Sequence, residues 1–216
     1  MSTLKKVVII GAGGFGREVL EIFKAQNKVE NEWDILGFID EDASLFGSKI
    51  NNYPILGNLD WIINNENEIG CVIAIGDPKI KNSIAQKLES NNVKLFNIIH
   101  PSVISSEFVQ LGKGVIICAG VILTVNIKIG DNVCINLNST IGHDAIIENC
   151  CSIMPNVSIN GEDHIGECSY VGTGATLIHQ INIGKRSIIG AGAMVVKDIP
   201  DDVLAMGVPA KVIKSV

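Results

Sequence analysis

The stretch STIGHDAII (residues 139–147) sets His143 beside Asp144 in an otherwise apolar, turn-rich segment. A histidine titrates near neutrality, so it can act as a general base. A neighbouring carboxylate would stabilise the imidazolium and decide which ring nitrogen faces a substrate. A second constellation lies at the other end of the chain. Gly11, Gly13 and Gly16 follow the apolar run VVII, and Asp40 closes the next apolar segment, ILGFID. Glycines after a strand and before a helix let backbone N–H groups approach a phosphate. That spacing leaves two ligands open: a dinucleotide such as NAD, or a mononucleotide or nucleotide-sugar phosphate. Only about 95 residues are available for this unit, enough for half of a dinucleotide fold.

A repeat positions His143. Stepping by six from Ile99 reaches Ser105, Leu111, Ile117, Leu123, Ile129, Ile135, Ile141, Ile147, Ile153, Ile159, Ile165, Val171, Leu177, Ile183, Ile189 and Val195. All but Ser105 are aliphatic, and glycine often follows, as at Gly112, Gly142, Gly166 and Gly190. A helix does not tolerate glycine at that density, and a plain strand repeats every two residues. One short strand and one turn per hexad satisfies both facts. No insertion is expected between 99 and 200, so catalytic groups must come from the coils or from the other domain.

The first hundred residues alternate strands and helices: KKVVIIGAGGFGREVLEIFKAQ, ILGFID, CVIAIGD, and PKIKNSIAQKLESN with Pro78 at its start. Between them NYPILGNLDWII supplies a turn and a short helix. This is a parallel α/β unit. The boundary near FNIIHPSVI divides the chain into residues 1–97 and 98–216.

Composition narrows the function. A net charge of −6 argues against a nucleic-acid binder. No apolar run reaches the ~18–20 residues of a membrane span, and the N-terminal run ends in a glycine turn instead of a cleavage site. A cytoplasmic protein is expected. Cys71, Cys118, Cys134, Cys150, Cys151 and Cys168 form no CxxC pair and read as small buried residues, with no metal site.

GAGGFGREV, FIDED, AIGDP, an uninterrupted hexapeptide region with IGHD, and a closing MGVPAKVIK together resemble bacterial sugar acyltransferases. These are of the sialic acid O-acetyltransferase and nucleotide-4-amino-sugar N-acetyltransferase type. The resemblance spans essentially the whole chain. It implies a half-Rossmann α/β domain followed by a left-handed parallel β-helix, with three hexads in each 18-residue coil and between five and six coils. It further implies a homotrimer, acetyl-CoA between adjacent β-helices, and a sugar or sugar-nucleotide substrate against the N-terminal domain. His143 matches the family's general base and Asp144 its acidic partner. Ser152, Gly161, Thr173 and Ala191 match acetyl-CoA contacts, and Lys211 could meet CoA phosphates or cap the chain end. Gly13, Gly14, Asp40, Glu41 and Gly76 match the substrate cleft. Phe15 stands where many members carry a histidine, and could stack on substrate or simply pack.

N-acetylation of a nucleotide-linked 4-amino sugar for surface glycan synthesis is favoured over O-acetylation of sialic acid or another hydroxyl. A non-catalytic scaffold, a carbonic-anhydrase-like relative and an NAD enzyme with a β-helix tail are the distant alternatives. With 18 residues per coil, Gly161 lies between His143 and His179 on one edge. That missing side chain should leave room beside His143. His164 and His179 are expected on surface turns, and His100 at the domain junction.

Overall fold

The structure is a computed structural model that describes residues 4–65 and 69–216. The apolar run at the start forms β1 (Lys5–Ile10), and the glycine turn leads into α1 (Gly14–Val29). Then come β2 (Trp33–Ile39), β3 (Lys49–Ile50), β4 (Tyr53–Gly57), α2 (Leu59–Ile63), β5 (Ile69–Ile73), α3 (Pro78–Ser90) and β6 (Lys94–Leu95). The sheet order is β3-β4-β2-β1-β5-β6, parallel except for the β3–β4 hairpin. The chain moves outward from β1 to β2 and β4, then crosses back to β5 on the other side. This reversal leaves a crevice at the carboxyl ends of β1 and β5, where open α/β sheets bind ligands.

Two helix starts show why the chain folds this way locally. Asp77 caps α3 by accepting from the amides of Lys79 and Ile80 at 2.8 and 3.0 Å, with Pro78 in the first turn. In α1, Gly16 lies so close to Gly11 that any Cβ would overlap the Gly11 carbonyl oxygen. The third glycine of the motif therefore serves helix–strand packing.

From Ile98 the chain winds into a prism of three parallel faces, a left-handed β-helix. The first face stacks Ile98–Ile99, Ile116–Ile117, Cys134–Ile135, Ser152–Ile153, Tyr170–Val171 and Ile188–Ile189. The second stacks Ile104–Ser105 through Met194–Val195, and the third Gln110–Leu111 through Asn182–Ile183. Strand partners are 18 residues apart, as in Ile116↔Cys134 and Thr140↔Ser158. The aliphatic anchors point inward: Ile117, Ile135, Ile153, Val171 and Ile189 are all fully buried. Each edge carries one residue per coil with positive φ, for example Asn126, Asp144, Glu162 and Gln180 on one edge. That conformation turns the chain by one face and leaves the side chain outside.

The period breaks before residue 200, contrary to the uninterrupted repeat expected. Ile199 bridges Ile183, and Ile188 pairs with Leu204, so these partners are 16 residues apart. The last coil is two residues short, which moves Ile199 from a turn into the stacked strand column. Val203–Gly207 and Ala210–Ser215 then form an antiparallel hairpin that extends the first face and carries Lys211.

The α/β unit sits on the first face. Gln26 donates to the Ile99 carbonyl (2.8 Å), and Ile98, Ile116, Cys118 and Cys134 share a core with Val19, Phe23 and Phe38. Lys81 of α3 is 1% exposed, and its Nζ donates to the Cys151 carbonyl and Ser152 Oγ, both at 2.9 Å. A buried ammonium group needs such partners.

Gly16→Ala should destabilise the protein in urea unfolding by ~1–3 kcal/mol, because the new methyl has no space. Gly13→Ala, with nothing within 4 Å of the added carbon, should cost a few tenths of a kcal/mol.

Candidate active site

His143 and Asp144 occupy the edge between the second and third faces, both half exposed. Asp144 adopts φ of 60°, which swings its carboxylate back toward the histidine. Its Oδ2 lies 2.9 Å from His143 Nδ1, and its Oδ1 accepts from Asn126 Nδ2 of the preceding coil at 3.2 Å. An ionised carboxylate only accepts, so Nδ1 carries the proton and neutral His143 presents a lone pair on Nε2. The His143 hydrogen bond, then that of Asn126, holds the Asp144 carboxyl below its usual range.

Gly161 of the next coil is the surface against which the ring rests. A Cβ there would come within 2.5 Å of His143 Nε2 and 2.6 Å of Cε1. The room expected beside His143 is thus filled by its own imidazole, because the ring folds toward the following coil.

Thr173 and Ala191 lie exposed on the neighbouring edge, between the first and second faces. They stack directly, with Gly192 N donating to Thr173 O at 2.8 Å. The second face thus runs between a glycine–histidine edge and a small-residue edge. Ser152 does not join them: it is fully buried on the first face, where it accepts from Lys81. A side-chain contact from Ser152 to a surface ligand is excluded in the single chain, since α3 covers it.

The remaining histidines separate. His179 is exposed on the His143 edge, two coils away. His164 is in a strand of the third face and not on a turn, with Nε2 2.9 Å from Glu148 Oε1. The strand pairing of Ile146 with His164 puts it there. His100 ends the first strand of the prism, bonded to Ser102 at 2.8 Å. Among the described residues no cluster of three metal-ligating side chains occurs.

In the α/β unit, Gly13 and Gly76 front open space at the β1/β5 crevice, and Gly14 has only the Arg17 guanidinium nearby, 3.9 Å from an added Cβ. Asp40 Oδ2 accepts from Ala12 N (2.8 Å) and Oδ1 from Asp42 N (3.0 Å), so this carboxylate holds the glycine turn in shape. Glu41 accepts from Leu59 N at 3.0 Å, at the start of α2. Phe15 is half buried and packs on the α/β core.

A pocket of about 480 Å³ opens between this crevice and the first face of the prism, lined by Gly76, Lys79, Met154, Tyr170, Arg186 and Ile188. Arg186 is held by two 2.6 Å hydrogen bonds to Asp202. Sequence reasoning passed over Lys79, Tyr170 and Arg186. The 18-residue stacking sets Tyr170 above Ser152, but no motif says which face the α/β unit covers.

A hexapeptide β-helix with an exposed, carboxylate-oriented histidine, joined to a half-Rossmann unit with an open glycine crevice, defines a sugar-modifying acyltransferase. Residues 6–88 match the PglD N-terminal domain. The chain is 30% identical over 170 residues to the GDP-perosamine N-acetyltransferase of Escherichia coli O157:H7, covering 78% of this chain and 76% of that one. Among solved structures, a mutant perosamine N-acetyltransferase from Caulobacter crescentus in complex with CoA and GDP-perosamine is 32% identical. It covers 99% of both chains with a TM-score of 0.90. The acetyltransferase domain of PglB from Neisseria gonorrhoeae, in complex with acetyl coenzyme A, is 29% identical over 98% of this chain and 100% of that one, with a TM-score of 0.88. The chain belongs to the hexapeptide-repeat family of nucleotide-amino-sugar acetyltransferases.

Asp144→Asn should lower kcat about tenfold in a thiol-release assay, a smaller loss than the ~10²–10⁴ expected for removing a positioned base. An unchanged kcat would show that the carboxylate does not assist the imidazole.

Proposed function

We propose that the protein transfers the acetyl group of acetyl-CoA to the amine of a nucleotide-linked 4-amino sugar, for surface glycan synthesis. The observation that carries this reading is the 2.9 Å His143–Asp144 hydrogen bond, which leaves Nε2 as an open acceptor at the surface. A sugar ammonium must lose a proton before or during attack on a thioester. His143 Nε2 takes that proton, and Asp144 stabilises the resulting imidazolium. A thioester expels its thiolate readily, so no covalent intermediate on the protein is required. Gly161, Thr173 and Ala191 offer small surfaces on both edges of the second face, where an extended acetyl-CoA would lie. Ser152 is left out of that contact set, in keeping with its burial.

The substrate end of the reading uses the β1/β5 crevice. Gly13, Gly14 and Gly76 would accept the diphosphate, with Asp40 and Glu41 keeping the loops in shape and Phe15 acting as packing. Lys79, Tyr170 and Arg186 would meet the outer part of the substrate. The similarity to N-acetyltransferases of a GDP-linked amino sugar, GDP-perosamine, supports an amine acceptor over a hydroxyl.

We further propose a trimer whose sites are shared between copies, built from units 1–97 and 98–216. The α/β unit covers the first face, whereas His143 stands on the edge opposite that face. Within one chain the base and the crevice lie on opposite sides of the prism, so a second copy must bring them together. Ile104, Phe108, Ile122, Val125, Leu137 and Ile146 are exposed along the first coils, an apolar strip suited to burial against another prism. Six unpaired cysteines fit a reducing cytoplasm, and no helix among the described residues is long and apolar enough to cross a membrane.

With acetyl-CoA and a panel of nucleotide 4-amino sugars, wild type should release CoA thiol and His143→Ala should be slower by ~10²-fold or more. Co-assembling His143→Ala with a crevice-blocked Gly14→Trp variant should restore activity that neither shows alone. Failure to recover any would place the whole site within one chain.

A further inference from the structure

The turn that supports His143 is built differently from the turns of the coils on either side of it. The inward column there reads Val109, Ile127, Ala145, Asp163 and Ile181. Asp163 is the one charged residue in it, and it is 1% exposed. Its Oδ2 accepts from Asn160 N of its own turn and its Oδ1 from Ile181 N of the next coil, both at 2.8 Å.

This carboxylate changes the stacking. On the neighbouring coils the first turn residue donates its backbone N–H to the following coil: Thr124 N to Ile141 O, Gly142 N to Ile159 O, Ile178 N to Val195 O. Asn160 N is diverted to Asp163 instead, and the side-chain amide of Asn160 reaches the vacated carbonyl, Leu177 O, at 2.6 Å. Strand pairing registers the change, since Ser158↔Thr176 is matched without the second pair found between the other strands of that face. At Asn160 the turn thus meets the following coil through a side-chain amide, while Gly161 O keeps the regular bond from Gln180 N at 3.0 Å. The turn faces the His143 coil, where Glu162 N donates to His143 O at 2.8 Å and Gly161 meets the imidazole.

We propose that Asp163 and Asn160 are positioning residues for His143: their clamp sets the height of Gly161 and so the resting place of the ring. The proposal rests on the reading of His143 as the base. Burial pushes the Asp163 carboxyl up to about 6, opposed by its two backbone hydrogen bonds and by His179 from the next coil. Of its chain neighbours, Glu162 is engaged by Gln180 and His164 by Glu148. The carboxylate form that accepts both N–H groups is present above that pH. It is lost as pH falls through it, because a protonated oxygen no longer accepts.

The test is Asp163→Val, which restores the aliphatic residue of the column and frees Asn160 N to rejoin the regular ladder. The expected result has three parts: a melting temperature close to wild type, an unchanged KM for acetyl-CoA, and a kcat lowered about tenfold, given that a 1 Å misplacement can cost ~10²-fold. On acidification through about pH 6, kcat/KM should fall further in wild type than in the variant, which has no carboxyl at 163 to protonate. Proton NMR of the His143 ring, assigned with His143→Ala, should show a shifted resonance in Asp163→Val. A kcat within twofold of wild type and an unmoved ring resonance would overturn the proposal. If wild type releases no thiol with any acceptor, the base reading fails by itself, and the ring resonance still decides the clamp.

Discussion

Coil-on-coil stacking is the constraint from which the rest of this molecule follows. Each inter-coil hydrogen bond, such as Gly142 N to Ile159 O at 2.8 Å, fixes one turn a single strand spacing (~4.8 Å) from the next. Side chains 18 residues apart are thereby forced into columns. A histidine on a turn cannot choose its neighbours: Asn126 lies on one side of the His143–Asp144 pair and Gly161 on the other. The orientation of the imidazole is a consequence of the repeat. A glycine at 161 is required for the same reason, since any side chain would displace the ring.

The joint between the two units works by a different balance. Aliphatic packing of Ile98 and Ile116 on the α/β core favours contact, while Lys81 brings an amine into that contact. An unsatisfied buried polar group costs several kcal/mol against the ~1 kcal/mol net gain of a good hydrogen bond. Apolar area therefore stabilises the joint, and the hydrogen bonds of Lys81 to Cys151 O and Ser152 Oγ enforce one register between helix and prism. A fixed register matters because the β1/β5 crevice opens directly onto Tyr170 and Ile188.

The repeat was legible because each anchor is dictated by one requirement, an aliphatic residue inside a narrow prism. The half-Rossmann unit was legible for a similar reason, glycines being forced where Gly16 meets Gly11. His143 and Asp144 could be picked out because a carboxylate follows a histidine on a turn of fixed shape. Ser152 was matched as an acetyl-CoA contact by resemblance alone, and nothing in the repeat says what covers its side chain. That cover comes from α3, through a contact 71 residues distant in sequence. The shortened last coil escaped for a subtler reason: Ile199 is as acceptable at a turn position as in the strand column, so its chemistry did not report the missing two residues. The part played by Asp163 was not legible, because it depends on Asn160 changing partners.

The distribution of labour follows from these geometries. An edge of a β-helix is a poor place to recognise a large substrate, because its residues are single, exposed and spaced by one coil. It is a good place to hold one ring nitrogen, since neighbouring coils fix that ring from both sides. A crevice at the reversal of an α/β sheet has the opposite properties, with several loops and backbone amides converging on one ligand. Separating the two functions lets loops such as Asp40–Asp42 and Gly76–Lys79 vary without disturbing the base. The prism puts His143 on the edge farthest from the crevice of its own chain, which is why the proposed reaction calls on a second copy.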